Sequence, residues 1–490
     1  MSAEECRDPA QGVQPGRGLL LGTLAICCAS LVAAVFEVPG FLADGLVFKG
    51  IDDVPAATRL PWARLFSLGT GLGLTAFLAL LFALRAAWSG RLSVRAFLAS
   101  AYVLSIAMTL GLSLSGEARG FSLAKSVYYQ GYVSDAHDFA GPGDVVQRYN
   151  ENFKDLLPHS RTHPPGPVLF FTGTNALSAT VSTWPADAGG FSSSEVLEFF
   201  LEGNLGGTVL LLCAWLLLFP LFEYTRRVAC GISGVECGPD QSVRAGLLAV
   251  GLAATCANIL VVAPMTDVLH PVLGICAALA LQRGLAEDRA SWCVLAGLFL
   301  GALLIMAFGN LAIAPLLLWM GLGLERRSMR RAMTGALGLL GGVAVIAGLM
   351  AGWGYNYVEG LQSALEFHGG GVNSERGYVA YLFGSPYTFL LWLGAPILVG
   401  ACLGRVRLRL QVKTEREGVR LGLFSLFAIL VLSGISRGET ERLWLPLVPF
   451  FIAIAATGWA PRLTNFRSVA TLLAVSFTGS LVLGLLTKQY

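Results

Sequence analysis

The sequence predicts an all-α polytopic membrane protein, with about thirteen transmembrane helices and interfacial helices in one long external loop. Three observations carry that prediction. Hydrophobic residues make up 55% of the chain and charged residues only 13%, about half the share of an ordinary soluble domain. Mean hydropathy is +0.66, and the apolar residues fall in long blocks. Loops between alternate blocks are short and rich in arginine. The net charge of +3 says little beside where the charges sit.

The predicted spans lie near 19–41, 66–88, 95–115, 206–225, 244–263, 267–284, 292–307, 309–324, 334–355, 386–404, 420–436, 444–460 and 468–487. The first run, from about Leu19, is too long for a signal peptide and lacks a small-residue cleavage site, so it reads as a retained span. The members of the pair 292–307 and 309–324 are short, and they read as a tight hairpin or as one broken element.

Orientation follows from the basic residues of the short loops. With the N-terminus in the cytoplasm, the inner loops hold Arg85, Arg91, Arg95, Arg226, Arg227 and Arg244, then "ERRSMRR" (325–331), "RVRLRLQVKTEREGVR" (405–420), Arg462 and Arg467. Segment 116–205 then falls outside, with ten acidic side chains against five basic ones. All ten cysteines fall in spans or inner loops, so none is available to pair on an oxidising face. "CGISGVEC" (230–237) lacks zinc-ligand spacing and reads as two free thiols.

Polar chemistry gathers on the outer side. All five histidines (His137, His159, His163, His270 and His368) lie on or near it, as do the longer loops 116–205, 356–385 and "RGETER" (437–442). The chain has no Walker motif, no dinucleotide-binding glycine motif after a strand and no internal repeat, and no nucleic-acid partner is expected. Within the long loop, "FSLAKSVYYQGYV" (121–133) predicts an interfacial helix, with Tyr128, Tyr129 and Tyr132 at headgroup depth. Pro164 and Pro165 fix an extended turn before the apolar run 167–177, which is short for a span and reads as a second interfacial helix. Pro446 and Pro449 are expected to kink the penultimate span and open a cavity. Gly369–Gly371 mark an outer loop that is either a linker or a segment able to order over a ligand.

The order "GEARGFSLAKSV", "THPPGPVLFF", "APMTDVL", "ERLWLPLVPF", with spans between, resembles the GT-C superfamily of polytopic glycosyltransferases. It looks most like bacterial relatives of protein O-mannosyltransferases and of the lipid A aminoarabinose transferase. The resemblance covers about 95 to 455. It implies a division into 1–94, an N-terminal cytoplasmic tail with two additional transmembrane helices; 95–460, a catalytic module with external loop 116–205; and 461–490, a C-terminal helix. It also implies a polyprenyl-phosphate sugar donor, a lipid, glycan or protein acceptor, a site on the external side of the bilayer, and inversion at the anomeric carbon. Some such enzymes use a divalent ion and others do not, so a divalent metal stays open here, although "SDAHD" with His159 and His163 is no recognised ligand set. No other cofactor is expected.

The family pattern opens its loop with an acidic pair whose leading aspartate is the usual catalytic carboxylate; here that position is Gly116, followed by Glu117. Glu117 is therefore the first candidate for the base, a carboxylate just beyond a span where a lipid-linked sugar would lie. Asp135 and Asp138 are the alternatives, and lost chemistry is a third reading. The candidates for holding the donor are Arg119, Arg161, His163, Asp267, Arg376 and Arg442, with His163 in the place before the double proline where relatives often carry lysine. Each has a plainer reading: Glu117 as a solvated helix-end charge, Arg119 as its ion-pair partner, His163 as a loop histidine and Asp267 as a helix cap. A transporter or flippase of lipid-linked saccharides is the rival function; it predicts polar residues deep in several spans, where Asn258 and Asn310 are the clearest examples.

Overall fold

The computed structural model describes residues 18–19, 21–26, 29, 66–115, 131–182, 204–230, 239–263, 265–324, 329–367, 369, 377–403, 415–434 and 440–486. The candidates Glu117, Arg119 and Arg376 lie outside these residues, as do positions 121–130 of the first predicted interfacial helix.

The described chain is all helical. In order, the helices are α1 (Leu68–Trp88), α2 (Val94–Ser115), α3 (Tyr132–His137), α4 (Pro142–Arg148), α5 (Pro158–Arg161), α6 (Gly166–Ser182), α7 (Asn204–Trp215), α8 (Leu218–Cys230), α9 (Pro239–Ala254), α10 (Ala257–Leu260) and α11 (Leu269–Glu287). There follow α12 (Ala290–Met306), α13 (Ile313–Leu324), α14 (Met329–Gly352), α15 (Tyr357–Phe367), α16 (Tyr378–Leu393), α17 (Ala395–Cys402), α18 (Glu415–Ser433), α19 (Thr440–Leu443), α20 (Val448–Trp459) and α21 (Phe466–Leu486). Three 3₁₀ turns, Thr266–Val268, Phe308–Ala312 and Leu445–Leu447, lead directly into α11, α13 and α20.

Six helical stretches are long and apolar enough to cross a membrane: Leu68–Trp88, Val94–Leu114, Leu205–Cys230, Thr266–Glu287, Met329–Gly352 and Phe466–Gly484. Tyr381–Leu393 with Ala395–Cys402, bent by 99°, makes a seventh if taken as one span. The prediction of about thirteen is thus corrected among the described residues. Apolar windows mark where hydrophobic residues run, but extended and 3₁₀ backbone cuts several of them into pieces. Thus 244–263 becomes α9 and α10, and Ala307, at φ −160° and ψ 136°, separates α12 from the turn before α13. The pair read as a hairpin or one broken element is two pieces at a break, α12 packing on α11 and α14 while α13 packs on α18.

Breaks in a membrane must find partners for the carbonyls they release. Ser476 and Ser480 of α21 both donate to the Thr255 carbonyl, at 3.0 and 2.6 Å, where α9 stops. Asn310 Nδ2 donates to the Leu303 carbonyl at 2.9 Å, where α12 stops. Helices α12 and α14 meet on glycine: a Cβ on Gly297 would lie 2.2 Å from the Leu339 carbonyl oxygen, and one on Gly342 the same distance from that of Val294. Small residues let backbones approach where lipid offers no hydrophobic drive between helices.

Residues 131–163 form a small cap of short helices. Asp135 is its hub, accepting the Ser160 hydroxyl and the Leu157 amide at 3.2 Å. Tyr149 donates to the Ser160 carbonyl at 2.9 Å and the His163 carbonyl at 3.3 Å. Asn150 Nδ2 reaches the Asn356 carbonyl at 3.0 Å and ties the cap to the segment after α14. Tyr132 is fully buried: its ring packs edge-on to His163, with centroids 5.7 Å apart.

Candidate functional site

A cavity of about 180 Å³ opens where the 3₁₀ turns meet the cap. Its polar wall carries Thr162, His163, Asp267, His270 and Asn310. Its apolar wall comes from Leu361, Ala364 and Leu365 of α15, Leu430 of α18 and the Leu443–Trp444 corner. Leu361 and Leu365 of this wall are exposed.

Three helices begin at the cavity. Asp267 and His270 flank the start of α11, Ile313 opens α13, and Pro446 and Leu447 lie just before α20. His163 stands three residues ahead of a fourth start, that of α6. Each start directs backbone N–H groups and the positive end of a helix dipole toward this region. The prolines fit that role. Pro446 sits in the 3₁₀ turn and Pro449 in the first turn of α20, where the missing N–H costs nothing, so they start the helix rather than kink it.

Asp267 is 3% exposed and lies 3.5 Å from Arg442 Nε, itself on a residue only 7% exposed. Its other oxygen is 3.9 Å from His270 Nδ1. Asp267 thus forms an ion pair one residue ahead of Val268, the N-cap of α11. Thr440 fastens the Arg442 helix by donating to the Ser385 carbonyl at 2.6 Å. His163 Nδ1 lies 2.8 Å from the His159 carbonyl oxygen and 3.0 Å from Thr162 Oγ1. A carbonyl only accepts, so Nδ1 carries a hydrogen and the basic nitrogen of the neutral ring is Nε2.

The structure therefore brings together His163, Asp267 and Arg442, three candidates from distant parts of the sequence. The others do not join them. Asp135 is buried away from the cavity wall, in the cap. Burial raises its carboxyl above the ordinary range, against the opposing pull of the Ser160 and Leu157 hydrogen bonds. Asp138 is exposed at the end of α3. Arg161 donates Nε to the Leu156 carbonyl at 2.6 Å and lies 5.4 Å from the centroid of the Phe367 ring. His270 and Asn310 were not among the sequence candidates for the site. The i, i+3 spacing of Asp267 and His270 would have pointed to the former, since it puts both on one helix face.

Among the described residues no three His, Cys, Asp or Glu side chains gather as metal ligands. The described cysteines, Cys213, Cys230, Cys256, Cys276, Cys293 and Cys402, are free thiols.

No protein-family model matches the chain, and no curated protein matches it either. The class the fold defines is an all-helical, multi-pass membrane protein with six to seven candidate spans and a cavity built at helix starts. It associates with the lipid bilayer through those apolar helices.

Proposed function

We propose that this protein is a membrane glycosyltransferase of the GT-C kind, moving a sugar from a polyprenyl-phosphate donor to a lipid, glycan or protein acceptor on the outer face of the membrane. The observation that carries the reading is the cavity lined by Asp267 and His163 beside three helix starts, with Arg442 paired to Asp267 behind its wall. Helix starts and a guanidinium suit a phosphate, and the apolar wall suits the chain attached to it. The outer location rests on the arginine-rich loops that the topology puts inside.

In the proposed reaction an acceptor hydroxyl oxygen bonds to the anomeric carbon from the face opposite the phosphate. The bond from that carbon to the phosphate oxygen breaks, and its electron pair stays on the phosphate. The hydroxyl proton passes to the base, for which Glu117 is proposed. Arg442 and His163 counter the charge growing on the phosphate, with Arg119 and Arg376 as further contacts and Asp267 orienting Arg442.

A second reading, a transporter of lipid-linked saccharide, draws on one feature. The break before α10 abuts the bend after α16, with Cys256 Sγ 3.9 Å from the Leu393 carbonyl oxygen, and discontinuous helices mark many transport sites. Membranes given radiolabelled polyprenyl-phosphate sugar separate the two, since a transporter leaves the sugar–phosphate bond intact. The transferase reading expects Glu117→Gln to cut transfer by about 10² or more, the usual contribution of a general base, and Arg442→Gln to cut it as well. Absence of transfer by the wild type from every such donor would overturn it.

A further inference from the structure

The far end of α11 carries a second charged cluster, independent of the cavity. Arg283 lies thirteen residues beyond His270 on α11, about 20 Å along the axis. There Glu223 of α8 meets Arg226 Nε at 2.9 Å, Arg227 Nε at 2.7 Å and Arg283 Nη2 at 3.9 Å. Three guanidiniums share one carboxylate. The neighbouring acids are taken: Glu287 pairs with Arg289 at 3.6 Å and Asp288 with Arg331 at 4.0 Å. The cluster therefore keeps an excess of positive charge among the described residues.

The three arginine side chains are 38%, 27% and 30% exposed, so they are neither sealed in nor fully solvated. Arg283 Nε is buried without a hydrogen-bond partner, and its guanidinium lies 5.2 Å from the centroid of the Trp292 ring. Single arginines at helix C-termini complement the helix dipole, but that does not call for three on one glutamate. The cluster stands near the ends of two candidate spans, Leu205–Cys230 and Thr266–Glu287, where arginine side chains reach toward lipid headgroups. Phe219, two turns before Arg226 on the same face of α8, is exposed and apolar, giving an acyl chain a surface to follow.

We propose that Arg226, Arg227 and Arg283 form a binding site for the phosphodiester headgroup of an anionic phospholipid in the leaflet opposite the cavity. Glu223 holds the three guanidiniums in a fixed array, and the lipid supplies the negative charge that the array lacks.

The test uses the full chain in detergent, with native mass spectrometry counting retained phosphatidylglycerol and phosphatidylcholine. The wild type is expected to favour phosphatidylglycerol by about fivefold or more, and Arg227→Gln with Arg283→Gln to bring the ratio near one. Arg283→Lys, which keeps the charge, should retain most of the preference. A wild-type ratio near one overturns the proposal whatever the variants do, so a double variant that fails to fold does not shield it. An unchanged preference in the folded double variant, or displacement of the lipid by millimolar inorganic phosphate, overturns it equally.

Discussion

Asp135 shows how one buried residue can look catalytic and act as a brace. Its carboxyl is raised above its ordinary value near 3.8, chiefly by burial. The folded chain thus holds the proton more tightly than the unfolded chain does. The stability this contributes is whole below about 3.8 and is lost as pH rises through the raised folded value. Asp135→Asn removes the charge and keeps an acceptor for the Leu157 amide. Its thermal midpoint, relative to the wild type, should be higher at pH 7 than at pH 4, as melting in a single detergent would show. A difference that does not move with pH contradicts the assignment. Asp267 is the contrasting case: its pairing with Arg442 leaves both residues almost fully buried, and such pairs cost as much in desolvation as they return. Charges at that depth are retained more often for function than for stability.

At the scale of elements, the site is made by interruptions. α12 stops at Met306, and α6 starts beside that stop, where a Cβ on Gly166 would fall 2.1 Å from the Ile305 carbonyl oxygen. Gly166→Ala must push α6 away from the α12 end and is expected to cost about 1–3 kcal/mol, the usual range for overpacking. Gly173→Ala on the same helix, with nothing within 4 Å of the added carbon, should be neutral or slightly stabilising. Thermal melting of both variants decides it, and equal midpoints would contradict the packing account. The sequence was informative about where helices run and uninformative about where they stop. Pro164 and Pro165 announce the start of α6 correctly. Pro446 and Pro449 look alike as a mid-helix kink or as first-turn residues, because their local chemistry is the same. Ala307 carries no signal in the sequence; where it turns extended, its amide donates to the Leu303 carbonyl and its carbonyl accepts from the Asn310 amide.

At the scale of the whole molecule, the charge pattern and the apolar blocks made the helical membrane class readable, but not the number of full-length spans. His163, Asp267 and Arg442 were picked out singly, each on local pattern. Their meeting depends on contacts between positions 100 to 280 residues apart, which a single sequence does not encode locally. His270 escaped for the opposite reason, being one histidine in an apolar helix with nothing beside it in the sequence but Asp267. The central claim is that this meeting point takes a membrane-anchored phosphate. The direct measurement is the affinity of the purified protein for polyprenyl phosphate against the same polyprenol without its phosphate. The account predicts at least about tenfold tighter binding of the phosphate, the 1.4 kcal/mol that a charge-assisted contact readily supplies, and loss of that preference in Arg442→Gln. Equal affinity for the two lipids in the wild type, or a preference untouched by Arg442→Gln, would contradict it.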